Sequence, residues 1–138
     1  MNCIGPGVSA TGSSGSGAAV IDHFPSRDEC VIADLLERQA ATRPDRVFAA
    51  FPDRTWTFAE AARQAWAMGD GLGRLGVEAG DPVSVWCPTG PELLQAWLGI
   101  NAAGGVYAPL SLAARGSFLR HALDLAGSHV LIAHPALV

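Results

Sequence analysis

The stretch Gly80–Leu110, GDPVSVWCPTGPELLQAWLGINAAGGVYAPL, decides the fold. It opens on a turn at Asp81-Pro82 and passes into the apolar run Val83–Cys87. That run is continuous rather than alternating, as expected of a strand covered on both faces. Pro91 then stands where a first helical residue needs no N–H, and Gly104-Gly105 stops the segment. Between them Leu93, Leu94, Ala96, Trp97, Leu98 and Ile100 cover most of a helix circumference. Such a helix is expected to be covered on more than one side. Val106–Leu110 is a second apolar run. Strand, helix and strand in close succession form a crossover unit, which implies parallel pairing.

The pattern repeats toward the C-terminus. A helix is predicted over Ser117–Ala126, ended by Gly127, and a strand over His129–Ala133. From residue 83 onward the order is strand, helix, strand, helix, strand. The class is therefore α/β, with a largely parallel sheet flanked by helices.

Toward the N-terminus, Thr57-Phe58-Ala59-Glu60 has the form of a capping box, a hydroxyl with a carboxylate three residues on. It opens a helix running to about Leu75, whose apolar face reads Phe58, Ala61, Ala62, Ala65, Trp66, Leu72 and Leu75. Before it, Arg46–Phe51 and Thr55–Thr57 are short strands around Pro52-Asp53, good turn chemistry for a small hairpin. CVIADLLERQAATRP, residues 30–44, is a further helix with Ile32, Leu35, Leu36, Gln39 and Ala40 on one side and Pro44 closing it.

Residues 1–29 differ in texture: Gly, Ser, Ala and Pro dominate and the apolar residues show no period. TGSSGSGAA, Thr11–Ala19, carries the letters of a phosphate-binding loop. Backbone amides cradle phosphate only when such a loop is held between a strand and a helix. This one has neither neighbour and reads as a Gly/Ser tether. The organisation is thus a leader over 1–29 and an α/β domain over 30–138.

Composition excludes several classes. The 138 residues are 49% hydrophobic and carry a net charge of −4, so a packed core is expected and a basic nucleic-acid footprint is not. All nine basic residues are Arg; no Lys occurs, which removes any chemistry that depends on an ammonium side chain. Cys3, Cys30 and Cys87 show no metal-type spacing and read as free thiols in a reducing compartment. No apolar run is long enough to span a membrane, and no signal-peptide pattern opens the chain, which places it in the cytoplasm.

GLGRLG, Gly71–Gly76, matches the dinucleotide fingerprint letter for letter. That fingerprint needs a strand before it and a helix after it. Here the order is reversed, so the glycines mark the end of a helix, and titration with NAD is expected to show nothing. His23, His121, His129 and His134 lack paired spacing with Cys or carboxylates and read as surface or half-buried residues. Asp34, Glu37, Glu60 and Glu92 read as helix-surface or capping carboxylates, and Asp45 and Asp53 as turn residues. No G-x-S-x-G elbow is present. Trp56, Trp66, Trp86 and Trp97 read as packing residues. No catalytic, cofactor-binding or metal residue is assigned.

The stretch DLLERQAATRPDRVFAAF, followed by TWTFAEAARQ through GSHVLIA, resembles the N-terminal part of the AMP-forming adenylating enzymes. These are the acyl-CoA synthetases, luciferases and adenylation domains of peptide synthetases. Thr55–Glu60 is similar to the segment that starts a helix in that family, Leu72–Val83 to the one leading into a strand, and Glu92–Leu110 to the one that follows. The resemblance covers residues 31–138, and Arg115–Leu123 looks more like the fatty-acid or carnitine type of acyl-CoA ligase. It implies, for the complete enzyme, attack of a carboxylate on the α-phosphate of ATP with Mg²⁺ offsetting charge, then displacement of AMP by the thiol of coenzyme A. The family's Ser/Thr/Gly-rich loop ending in Pro-Lys-Gly has no counterpart in this sequence, and neither do its later nucleotide-binding segments. The expectation is an N-terminal fragment of an ATP-dependent acyl-CoA ligase, inactive alone, with ATP, Mg²⁺, CoA and a carboxylic acid engaged only in the complete enzyme. The alternative is a non-catalytic binding or regulatory module derived from that fold. A partial sheet also leaves an unpaired strand edge, which invites self-association.

Overall fold

A computed structural model of the chain describes residues 31–138. The expected leader, with Thr11–Ala19 and His23, lies outside the described residues. The elements run α1 (Ile32–Thr42), β1 (Val47–Ala50), β2 (Thr55–Thr57), α2 (Phe58–Arg74), β3 (Pro82–Trp86), α3 (Pro91–Ala102), β4 (Val106–Pro109), α4 (Gly116–Ala126) and β5 (Val130–Ala133), with a closing 3₁₀ turn at Pro135–Leu137.

The strand-helix alternation after residue 80 becomes a three-stranded parallel sheet in the order β4-β3-β5. Val83 faces Tyr107 on one side and Val130 on the other. β3 is thus the central strand, and Val83 through Trp86 are all buried. Its first residue is Pro82, a position where the missing N–H is tolerated. β1 and β2 pair antiparallel as the expected hairpin, with a bulge between Val47 and Ala49.

Alternation along β3 sorts two faces. Val83, Val85 and Cys87 pack with Leu72 of α2 and with Ala96 and Ile100 of α3. Ser84 and Trp86 point the other way. Ser84 Oγ shares a hydrogen bond with Ser128 Oγ, 2.5 Å away, just past α4. Trp86 Nε1 donates to the Ser111 carbonyl at 3.1 Å, and the Arg115 guanidinium lies 4.8 Å from the indole centroid. α4 therefore runs over the face opposite α2 and α3, giving three layers. A second core cluster joins Leu36 of α1, Trp56 of β2, Ala61, Ala62 and Ala65 of α2, and Leu98 of α3.

The capping box is present in full. Glu60 N–H donates to Thr57 Oγ1 at 3.2 Å, and Thr57 N–H donates to Glu60 Oε2 at 2.9 Å. Gly127 ends α4 in the left-handed region at φ 62°, where a side chain would be strained.

The expected apolar face of α2 needs correction. Its buried residues are Ala61, Ala62, Ala65, Gly69 and Leu72, whereas Trp66 and Leu75 are 46% and 69% exposed. The reason is close approach. A Cβ on Gly69 would stand 3.2 Å from the Gly99 carbonyl, and one on Gly99 would fall inside the van der Waals envelope of Met68 Cβ and Cγ. Small residues line the crossing of α2 and α3, which moves the contact one position away from Trp66. α4 departs further, since none of its residues is fully buried.

Candidate functional site

A concavity lies at the carboxyl end of β3, on the α3 side. It is an open cleft of about 630 Å³. Three pieces of chain build it. The β1–β2 turn contributes Ala50, Phe51 and Pro52. The β3–α3 loop and the first turns of α3 contribute Thr89, Gly90, Pro91, Leu93, Leu94 and Trp97, and β4 contributes Tyr107.

Each piece is held by a local device. Phe51 N–H donates to the Arg54 carbonyl at 2.7 Å, closing the turn, and the Phe51 ring meets Trp56 edge-on at 5.2 Å. Asp53 and Arg54 pair at 2.8 Å on the outside of the turn, and the guanidinium holds the Asp53 carboxyl below its ordinary range. Pro91 sets the start of α3, and Gly90 before it is extended. Tyr107 is carried into the cleft wall by its register with Val83. Apolar clefts of this size with a few polar groups are the usual form of a small-molecule site.

The lining is neutral. Thr89 and Tyr107 supply hydroxyls and the rest is aliphatic, aromatic or backbone. Burial, and secondarily Cys87, push the Tyr107 phenol up, which keeps it protonated. Cys87 follows β3 directly and is buried. Burial first and the Glu92 charge second raise its thiol, against the His134 backbone amide that lowers it, and Sγ faces the Ile132 carbonyl at 3.8 Å. A raised thiol pKa means less thiolate and slower nucleophilic chemistry. Iodoacetamide at pH 8 is therefore expected to label Cys87 far more slowly in the folded chain than in urea, as read by peptide mass spectrometry. Equal rates would refute the burial argument.

Other motif residues lie elsewhere. Gly71 and Gly73 of GLGRLG sit inside the last turns of α2, and Gly76 follows at φ 85°, so no helix N-terminus faces them. His121 and His129 are exposed, and His134 Nδ1 accepts from Ala136 N–H at 3.2 Å. Among the described residues no group of three or more His, Cys, Asp or Glu could hold a metal ion, and no helix is long and apolar enough to cross a membrane. The cleft itself went unread in the sequence, because a turn at residue 51 and a helix starting at 91 meet only in three dimensions. Tyr107 between two apolar neighbours was its one available signal.

Residues 36–138 match the family model described as AMP-binding enzyme. The delta-poly-L-ornithine synthetase of Acinetobacter baumannii is 35% identical over 82 residues, 59% of this chain and 6% of that protein. The medium/long-chain-fatty-acid–CoA ligase FadD6 of Mycobacterium tuberculosis is 33% identical over 107 residues, 78% of this chain and 18% of that protein. Among solved structures, the N-terminal subdomain of NpsA from Klebsiella oxytoca, in complex with anthranilyl-AMSN, superimposes with a TM-score of 0.68 at 27% identity. That match covers 75% of this chain and 27% of the NpsA chain. The chain thus spans 6% of the ornithine synthetase and 18% of the ligase. Its helices and parallel sheet are those of the N-terminal subdomain of adenylation enzymes, and the chain belongs to the AMP-binding enzyme family.

Proposed function

We propose that this chain supplies the opening scaffold of an ATP-dependent acyl-CoA ligase acting on a carboxylic acid in the cytoplasm. The observation that supports the family part is the match of residues 36–138 together with the β4-β3-β5 sheet. The ligase part rests on Arg115–Leu123, the start of α4, and on the likeness to the fatty-acid–CoA ligase over 78% of this chain. Relatives such as the ornithine synthetase, at 35% identity, leave a peptide-synthetase type of adenylation as the competing specificity.

ATP, Mg²⁺ and CoA, implied by the family, do not fit the residues at hand. The chain has no Lys to meet a triphosphate, and its described residues hold no carboxylate cluster for a metal. What these residues do is position: β3, pinned between β4 and β5, fixes where the cleft wall stands.

Incubation of the 138-residue chain with ATP, Mg²⁺ and a panel of fatty acids is expected to release no pyrophosphate above background. Robust turnover would overturn the scaffold reading. The second reading, a non-catalytic binding module, is favoured by the neutral cleft. A well-behaved monomer that binds neither nucleotide nor a complementing part of such an enzyme would speak for a role independent of the ligase.

A further inference from the structure

The cleft at the carboxyl end of β3 is walled by rings. Phe51, Trp97 and Tyr107 stand around it with Leu93 and Leu94, and all five are half-buried. Each is held from behind. Phe51 meets Trp56 edge-on, Leu94 and Trp97 pack on the cluster of Leu36 and Leu98, and Leu93 and Tyr107 pack on that of Val83 and Ile100. The two cores therefore shape the cleft, and its apolar walls face water. Such a surface favours a ligand that covers it.

The polar groups of the lining are few. Thr89 and Tyr107 carry its hydroxyls, and neither hydroxyl has a hydrogen-bond partner among the described residues. No charged side chain lines the cleft, and the rim is net negative. Glu92 lies beside Gly90, where an added Cβ would meet Oε2 at 3.3 Å. Its charge is felt at Cys87 and at Arg54, and the Arg54 guanidinium is already paired with Asp53. An entering anion would meet two carboxylates and one guanidinium that is already engaged. Burying a charge without a partner is costly.

From these observations we infer that the cleft binds an uncharged, planar aromatic molecule carrying one hydrogen-bonding group. The three rings take its flat body by edge and face contacts, and Thr89 or Tyr107 fixes its polar group. The volume of about 630 Å³ lies within the range of about 300–1,000 Å³ usual for small-molecule sites. The rim disfavours a carboxylate or a phosphate, which sets this ligand apart from the acid and nucleotide of the ligase reading. The inference gives the binding-module reading above a ligand class and rests on that reading.

A matched pair of probes tests it on the full chain. One is neutral N-phenyl-1-naphthylamine, and the other is the same skeleton bearing a sulfonate, 1-anilinonaphthalene-8-sulfonate. Each is titrated by its own fluorescence. The neutral probe is expected to bind one to one and about tenfold or more tighter than the anion. Ala50→Trp and Thr89→Trp place new rings in the cleft from exposed positions on the hairpin and the β3–α3 loop. Each is expected to weaken neutral binding by about tenfold or more. Tyr107→Phe is expected to weaken it by about two- to tenfold, and Glu92→Gln to narrow the preference over the anion. Leu125→Ser, at an exposed position of α4, leaves every value unchanged. Circular dichroism checks that each variant folds, and either tryptophan serves if the other proves disruptive. Equal affinity for the two probes overturns the ligand class. No binding, or binding indifferent to the added rings, overturns the site. So does a homodimer that Ala50→Trp dissociates, which assigns the cleft to a second copy. Gel filtration with a complementing part of an adenylating enzyme is read separately. A chain that takes the neutral probe and also forms that complex keeps the site and loses the independent role. A monomer blind to the probe keeps the role and loses the site.

Discussion

Replacing Trp56 with alanine is expected to destabilise the chain by about 3–5 kcal/mol. Trp56 sits on the short strand β2 and is 8% exposed. It packs in one cluster with Leu36, Ala61, Ala65 and Leu98, so a single side chain ties the hairpin to three helices. It also stacks edge-on against Phe51, at an interplanar angle of 72°. Truncation removes both the buried area and the ring contact, and the bulk is not replaceable from a strand of three residues. Small domains total about 5–15 kcal/mol, so most of the margin would go. In thermal melts a fall of about 12 °C or more is expected, taking at least 4 °C per kcal/mol for this size. A loss under about 1.5 kcal/mol would show that the hairpin is not anchored through this residue. Since Phe51 lines the cleft, the same change should also loosen its turn-side wall.

Ile100→Ala is the second large effect, at about 2–5 kcal/mol. Ile100 has no exposed surface and packs with Leu72, Val83, Val85 and Ala96, where α3 lies on the central strand. Its carbonyl also accepts the Gly105 amide at 2.9 Å, in the turn that leads into β4. The backbone around it is therefore held and collapses poorly onto a cavity. Leu125→Ala is the matched control, because Leu125 is 80% exposed and its loss should stay within about 0.5 kcal/mol. Urea midpoints compare the two at unchanged slope. Similar costs for both would mean that α4 is buried in solution, against the exposure described above.

Much of this architecture could be read directly, because its signals are local. Thr57 and Glu60 specify a helix start through two hydrogen bonds that four residues can make alone. Pro91 and Gly127 work the same way, through φ. The runs Val83–Trp86, apolar but for Ser84, and Val130–Ala133 announced parallel strands, and they pair in register. The sheet order was not readable, since nothing in Val106–Pro109 or Val130–Ala133 says which side of β3 each will take.

Trp66 and Leu75 show a second limit. Helical periodicity weighs large apolar residues most, yet the α2–α3 contact is made by Ala61, Ala65, Gly69 and Gly99, whose value lies in what they lack. A tryptophan one position round from such a seam is left outside it. α4 fails for the opposite reason. Its apolar stripe is strong, yet among the described residues nothing covers Phe118 and Leu125, which stay exposed. As for the site, the adenylating family was legible through the resemblance carried by residues 31–138, while acyl-CoA specificity was not. The one segment that suggested it, Arg115–Leu123, is an exposed helix start whose Arg115 is occupied in stacking on Trp86 and in donating to the Leu112 and Ala114 carbonyls.

The central place of β3 also has a meaning for synthesis. A strand that ends up buried on both faces emerges from the ribosome well before Val130, the partner of Val83 in β5. At about 5–20 residues per second the interval is seconds, long against the microseconds of hairpin formation. During it β3 can pair only with β4, and its β5-facing edge stays available to wrong partners. Chains stalled before β5 has left the ribosome should therefore bind trigger-type chaperones more strongly than chains in which β5 has emerged and covered that edge of β3. Nascent-chain pull-downs at successive stall lengths would locate the step.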